Sequence, residues 1–433
     1  MHDHEQKVAG EERAKLVGNA IVDEQLYADP GAYHKLLSQL RSEDPVCWVE
    51  PDDYAPFWVV TKHADIQAVE LSKDIFINAP RSLLRRKILD EQIAKITGGR
   101  PFLLNNLINM DGAVHMGHRK LTQAWFMPNR LKSVEQALHG YASQYVDRMI
   151  AMGGECDFMR DVASWYPLRV IMHILGVPES DEPKMLRLTQ QLFGPDDPDI
   201  KTEKVDVIAT VQEFFDYFGA LIEDRKTNPA DDIATIIAHS EIDGEPIGRQ
   251  EALSYLILVA TAGHDTTSST IAGGMLALLE NPDQLACLIE DGSLMPNAID
   301  EMLRWVSPVT HFFRTATADY ELRGRSIKKG QSLMMCYPSG NRDEDLFEDP
   351  FRFNVRRQPG RHIAFGYGPH VCLGQHLAKM EMRVFFEELL TRAKDFELAG
   401  KPEWVRSNFV GGLKRLPIRF RPRNDSSTSS VAP

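Results

Sequence analysis

The chain has 433 residues, 43% hydrophobic and 26% charged, with a formal net charge of −13. That acidic balance argues against a nucleic-acid surface and against attraction to anionic membranes. The five cysteines, Cys47, Cys156, Cys287, Cys336 and Cys372, are scattered without a CxxC pair, which argues against zinc and a disulfide framework and for a cytoplasmic protein.

The longest apolar run, residues 255–262, is too short to span a bilayer. No linker or repeat divides the chain. One large domain is expected over 21–423, between a flexible polar segment (1–20) and a disordered Ser-rich tail (424–433). Residues 46–50 and 57–61 flank a Pro/Asp-rich turn and predict a hairpin. A helix is expected over 63–72. Residues 78–109 look irregular, and long loops of this kind are often functional. The pattern over 115–294 is mainly helical, punctuated by Pro183, Pro195, Pro198 and Pro229. Beyond Pro308, strands are expected at 312–316, 320–322 and 332–337, then a helix over 375–390 and a last strand at 418–420. The expected fold class is mainly α with small β-sheets.

Four stretches carry chemistry. Within 111–119, His115 and Arg119 lie at i, i+4 on one helix face. The apolar run 255–262 then passes into Gly263-His264-Asp265-Thr266-Thr267-Ser268-Ser269-Thr270. Burying polar groups costs free energy unless they are paired. A Thr hydroxyl can bond back to a carbonyl and bend the helix, opening a groove. Asp265 and Thr266 then form an acid–alcohol pair suited to relaying protons. The plain alternative is a solvated Ser/Thr-rich helix end. Glu301 and Arg304 place opposite charges at i, i+3, among apolar neighbours that suggest partial burial.

The most informative stretch is Phe365-Gly366-Tyr367-Gly368-Pro369-His370-Val371-Cys372-Leu373-Gly374. Its one cysteine sits in a glycine-punctuated loop that opens into a helix. Free amides and the positive end of the helix dipole stabilise a thiolate there. Gly366, Gly368 and Gly374 let the backbone approach a cofactor closely. Phe365 can pack beside the sulfur and exclude water. A thiolate on haem iron favours O–O cleavage. The bland alternative is a structural cysteine in a Gly-rich turn.

These residues match the Phe-Gly-x-Gly-x-His-x-Cys-x-Gly signature of the cytochrome P-450 family, which the chain resembles from the first hairpin to Phe420. The resemblance implies the cytochrome P-450 fold as a single haem-enclosing domain. It implies haem b with an axial thiolate from Cys372, and Phe365, Gly366, Gly374, Ala262 and Gly263 against the cofactor. His115, Arg119, Arg314 and His370 would bind the propionates, although 111–119 lacks both prolines of the family's Asp-Pro-Pro-x-His-x-x-x-Arg. Asp265 and Thr266 would be catalytic. Glu301, Arg304 and Arg357 would form a buried structural network, in a register set by Asn341-Arg342-Asp343 and Phe347…Pro350…Phe353.

By the same analogy the substrate pocket is assigned to Phe102, Leu103, Leu104, Phe193, Val259, Val309, Phe312 and Phe409, with Ala262. Asn105, Thr310 and His311 are candidate polar handles. Such a pocket suits a compact hydrocarbon. His118 and His264 are read as ordinary.

The chain resembles the bacterial members that take electrons from an iron–sulfur ferredoxin and its NAD(P)H-dependent reductase. Lys120, Arg130, Lys132, Lys379 and Arg383 are candidate partner-facing cations. Residues 155–159, 176–179, 262–269 and 408–412 resemble the terpineol-hydroxylating branch. The implied activity is a monooxygenase using dioxygen on a small hydrophobic substrate, a monocyclic monoterpenoid or alkyl-aromatic hydrocarbon. A peroxygenase would not need the Asp265–Thr266 pair. A gas or redox sensor would usually carry an output domain, for which no room is expected.

Overall fold

In a computed structural model the described residues are 2–193, 206–358 and 360–423. Val, Trp and Phe favour extended backbone, and they build the expected hairpin. Val46–Val49 pairs antiparallel with Phe57–Val60, from Val46 opposite Val60 to Val49 opposite Phe57. Phe57–Val60 runs parallel to Ser332–Cys336. That strand lies antiparallel to His311–Ala316, which pairs with Phe76–Ile77 at the other edge. The parallel pair joins residues far apart in sequence, so the helical body lies between its two strands along the chain. A second sheet joins Ala393–Leu398, Pro417–Pro422 and Glu155–Asp157.

The main apolar core lies within the helical body. Pro128–Ala151 packs on Gln375–Arg392, and Asp265–Glu280 on Met295–Val306. Proline at the first turn starts Pro128–Ala151, where its missing N–H has no intrahelical role. Asp265–Glu280 is buried along most of its length, so this helix passes through the interior. A short π-helical segment, Phe158–Ala163, lies against it and leaves the Ser164 carbonyl facing the neighbouring helix.

Several expectations change. The segment expected to be flexible at 1–20 is a helix, His2–Val22. It is fixed where the Glu50 N–H donates to the Ala14 carbonyl at 3.1 Å and Ile21 is fully buried. The stretch read as irregular contains the helix Lys87–Thr97, ended by Gly98 in the left-handed region. The mainly helical stretch carries the strand Glu155–Asp157 and a small hairpin, Glu241–Ile242 with Glu245–Pro246. Pro195, Pro198, the side chain of Phe193 and the tail 424–433 lie outside the described residues. Among the described residues, no helix is long and apolar enough to cross a membrane.

Candidate active site

The cysteine loop is shaped by close backbone contact. Gly368 has φ +67°, and a Cβ there would come within 2.7 Å of the Glu70 carbonyl. The Cys372 N–H donates to the Phe365 carbonyl at 2.9 Å and closes the loop. Gly374 caps the helix Gln375–Arg392, and its amide hydrogen-bonds the sulfur. Cys372 keeps accessible surface although it lies deep in the protein, because that surface faces a cavity. Burial pushes its thiol up, while the Gly374 amide and the Arg119 charge pull it down. Cys47, Cys156 and Cys336 are buried, with thiols pushed up to about 12. None of the other four lines the cavity.

The cavity lies between the cysteine loop and the interior helix. Together with the open space at its mouth it spans ≈ 1460 Å³. One rim is polar. His115 and His370 stack with ring centroids 3.8 Å apart. The Asn78 side-chain amide bridges the His370 Nε2 and the Asp111 carboxylate, each at 2.8 Å. Arg119 donates to the Val371 carbonyl at 2.7 Å. Arg314 reaches Glu70 at 3.2 Å, and the Tyr337 hydroxyl donates to the same oxygen at 2.7 Å.

This rim is built for an anion. Burial and the neighbouring arginines lower His115 to about 4, and burial with Arg314 lowers His370 to about 2. Both are neutral donor–acceptors at pH 7. The Nε2 of His115 is buried without a partner. Two guanidinium groups and an unpartnered imidazole nitrogen beside a thiol-bearing loop fit a haem with its carboxylates at this rim. Glu70, absent from the sequence-based set, sits at the same rim. Burial raises it above the usual carboxylate range.

The helix Arg249–Ala262 stops and Asp265–Glu280 starts after a two-residue break. A Cβ on Gly263 would meet the end of the Ile171 side chain at 2.7 Å, so a larger residue here needs that side chain to shift. The Thr266 hydroxyl donates to the Ala262 carbonyl at 3.0 Å, and the Thr270 hydroxyl to the Thr266 carbonyl at 2.8 Å. Thr266, Thr267 and Thr270 line the cavity with Ala262, Gly263 and Cys372. Asp265 does not. Its carboxylate lies 3.0 Å from His264 Nδ1, so His264 is not an ordinary core histidine. His118 is held at 2.8 Å to the Val114 carbonyl of its own helix.

Of the expected substrate contacts, Val259, Val309 and Phe312 line the cavity. Phe102, Leu103, Leu104 and Phe409 do not. Leu104 belongs to the main core, Arg85 covers the Phe102 ring at 5.4 Å, and Phe409 packs edge-on behind Phe312 at 5.7 Å. Leu107, Ile108, Phe126, Ile171 and Leu258 complete the apolar wall. The expected polar handles are occupied elsewhere. Asn105 donates to Glu251 at 3.2 Å and Thr310 to the Asn408 carbonyl at 2.6 Å. His311, lowered by burial to about 3, accepts from the Leu84 N–H at 3.2 Å.

Glu301, Arg304 and Arg357 do meet. Arg304 binds Glu301 through two bonds of 2.7 and 2.8 Å, and Arg357 reaches Glu301 at 3.2 Å. Arg304 also donates to the carbonyls of Asn341 and Pro350, both at 2.9 Å. Asn341 accepts from the Ile363 N–H at 2.7 Å, so the cluster supports the segment leading into the cysteine loop. Among the candidate partner-facing cations, Lys379 pairs with Asp300 at 2.6 Å, Arg383 with Glu135 and Glu387, and Arg130 with Asp231. Lys120 and Lys132 are exposed.

The cytochrome P450 family profile matches residues 83–403. The chain is 42% identical to "Cytochrome P450-terp" of a Pseudomonas species over 93% of its own length and 97% of that protein's. It is 35% identical to linalool 8-monooxygenase of Pseudomonas putida, covering 90% of this chain and 96% of that one. The crystal structure of CYP108D1 from Novosphingobium aromaticivorans superposes with a TM-score of 0.89 at 42% identity, over 94% of this chain and 98% of the other. The chain therefore belongs to the cytochrome P450 family of monooxygenases.

Proposed function

We propose that this protein inserts one atom of dioxygen into a C–H bond of a small hydrophobic substrate, a monocyclic monoterpenoid or alkyl-aromatic hydrocarbon. The electrons come from a ferredoxin and its reductase. The observation that carries the reading is one cavity joining the Cys372 sulfur and the Thr266 hydroxyl beneath an apolar wall. The names of two relatives, "Cytochrome P450-terp" and "Linalool 8-monooxygenase", support the terpenoid class.

Haem b would be held by the Cys372 thiolate, with its propionates on Arg119, Arg314, His115 and His370. Bound there, it supplies dioxygen activation, which thiolate ligation favours. The chain's own residues do the rest. Val259, Val309, Phe312 and Leu258 confine an apolar molecule and exclude water. The neutral histidines and the two arginines fix the carboxylate side. Thr266, released from the Ala262 carbonyl, offers its hydroxyl proton at the oxygen side, and Asp265 replenishes it. Lys120 and Lys132 remain for steering an acidic partner.

The test is Thr266→Ala. The substitution removes one hydroxyl and leaves the cysteine loop, the wall and the rim intact. NADH consumption is expected to stay within about tenfold of the parent, a barrier change of roughly 1.4 kcal/mol. Hydroxylated product per NADH should fall sharply and hydrogen peroxide should rise. NADH oxidised, peroxide released and product formed are measured in one assay. A fully coupled Thr266→Ala removes the hydroxyl from the relay. Full activity with peroxide alone would favour a peroxygenase instead.

A further inference from the structure

The Asp265 carboxylate does not face the cavity it is proposed to supply. It is turned to His264, with 3.0 Å between Oδ1 and Nδ1. His264 is 1% exposed, and its other nitrogen, Nε2, lies 2.8 Å from the Ser164 carbonyl. A carbonyl cannot donate, so Nε2 carries a hydrogen. Nδ1 then lies at ion-pair distance from a carboxylate oxygen but has no hydrogen-bond partner, so this buried contact is favourable only when the pair holds a proton. Imidazolium with carboxylate and imidazole with carboxylic acid are two forms of one protonated pair.

We infer that His264 is a positioning residue that stores the proton Asp265 delivers, so that the His264–Asp265 pair acts as the relay's loaded reservoir. The inference rests on the reading of Asp265 and Thr266 as that relay. The step balances without any redox change. Once the two groups align, the proton on His264 Nδ1 moves to Asp265 Oδ1, leaving a neutral imidazole still bonded to Ser164 through Nε2–H. The neutral carboxylic acid turns towards Thr266 and gives up the proton at the oxygen side. The carboxylate swings back, and one proton from bulk water reloads the pair. The two-residue break at 263–264 places Asp265 in the first helical turn, where the helix dipole favours its return as carboxylate.

The surroundings fit this role. Burial disfavours the imidazolium, but the Asp265 charge beside Nδ1 and the bond to the Ser164 carbonyl raise His264 above its ordinary value. The segments packed against it carry Arg160, Asp161, Arg169 and His173. Asp161 accepts from the Asp157 N–H at 2.8 Å and Arg169 binds Glu182 at 2.7 Å. Asp265 is the charge that acts on His264.

The first readout is independent of turnover. In the ferrous–CO holoenzyme with ¹⁵N-labelled histidine, the His264 ring is assigned by its loss in His264→Gln. At pH 7 both ring nitrogens are expected to be protonated, and Asp265→Asn should convert the ring to a neutral single tautomer. A neutral ring with a bare Nδ1 beside an ionised Asp265 carboxylate, read from the carboxyl ¹³C shift at pH 7 in the parent, overturns the inference.

The second readout is the pH profile of product formation. In the parent, the rate is expected to fall with rising pH as the pair loses its proton, with a clear solvent isotope effect. His264→Gln should slow product formation about tenfold or more, up to the roughly 10²–10⁴-fold that positioned proton transfer contributes, and flatten the profile. His264→Arg keeps a cation that cannot give up its proton and should be slower still. If Thr266→Ala stays coupled and Asp265→Asn keeps the parent turnover, the relay itself fails. If those variants behave as stated but His264→Gln keeps the parent's pH profile and isotope effect, the reservoir alone is overturned.

Discussion

Cys372→Ala is expected to abolish the red-shifted Soret band of the ferrous–CO complex and to take substrate oxidation below detection. Cys372 alone among the five cysteines lines the cavity. Its sulfur receives the Gly374 amide at the start of a helix and lies near the Arg119 charge. Both favour thiolate over thiol, the form needed for a metal bond. Once iron is bound, it replaces the proton and overrides the upward push of burial. Cys47, Cys156 and Cys336 are packed in apolar core or sheet, with thiols pushed up to about 12. Replacing any of those, or Cys287, by Ser should leave the band in place. A Cys372→Ala protein that kept it would show that another group ligates the iron.

Glu301→Ala should cost a large share of the protein's stability, although Glu301 does not line the cavity. Glu301 is 2% exposed and answers the charges of Arg304, itself 1% exposed, and Arg357. It also accepts the Asn354 N–H at 2.9 Å. Removing one partner of a buried pair costs roughly 3–5 kcal/mol, against a total stability of about 5–15 kcal/mol. Arg304 would keep its bonds to the Asn341 and Pro350 carbonyls but lose its counter-charge. Because Asn341 also holds the Ile363 N–H, the damage should pass to the cysteine loop. Glu301→Ala is expected to contain much less haem and to unfold at lower denaturant. Glu301→Gln, which keeps the shape, should fall between. Normal haem content and denaturation in Glu301→Ala would reduce the cluster to a surface-like pair.

The features legible in the sequence are those carried by short spacing. The hairpin followed from β-branched and aromatic residues around a Pro/Asp turn. The cysteine loop, the helix break at 263–264 and the Glu301–Arg304 pair each lie within ten residues or fewer. What was missed depends on distant chain segments. Glu70 becomes a rim residue only because Arg314, 244 positions later, folds onto it. Phe102 and Phe409 look like pocket aromatics, yet one is covered by Arg85 and the other stands behind Phe312. The direction of the Asp265 carboxylate follows from the φ of −99° and ψ of −74° at His264 and from the Ser164 carbonyl, which no local pattern announces. The helix Lys87–Thr97 is different. Leu89, Ile93 and Ile96 at i, i+4, i+7 with Gly98 as a stop were available as a signal. The helix His2–Val22 has a polar sequence without an apolar stripe, and its contact with residue 50 supplies the fixing point.

The most direct test of the account is turnover under ¹⁸O₂ with NADH, a ferredoxin and its reductase, over a panel of monoterpenoids and alkylbenzenes. An alcohol product carrying one ¹⁸O atom is expected, formed in proportion to NADH from at least one compact member of the panel. Product oxygen drawn from water, or turnover supported by peroxide but not by NADH and dioxygen, would contradict it.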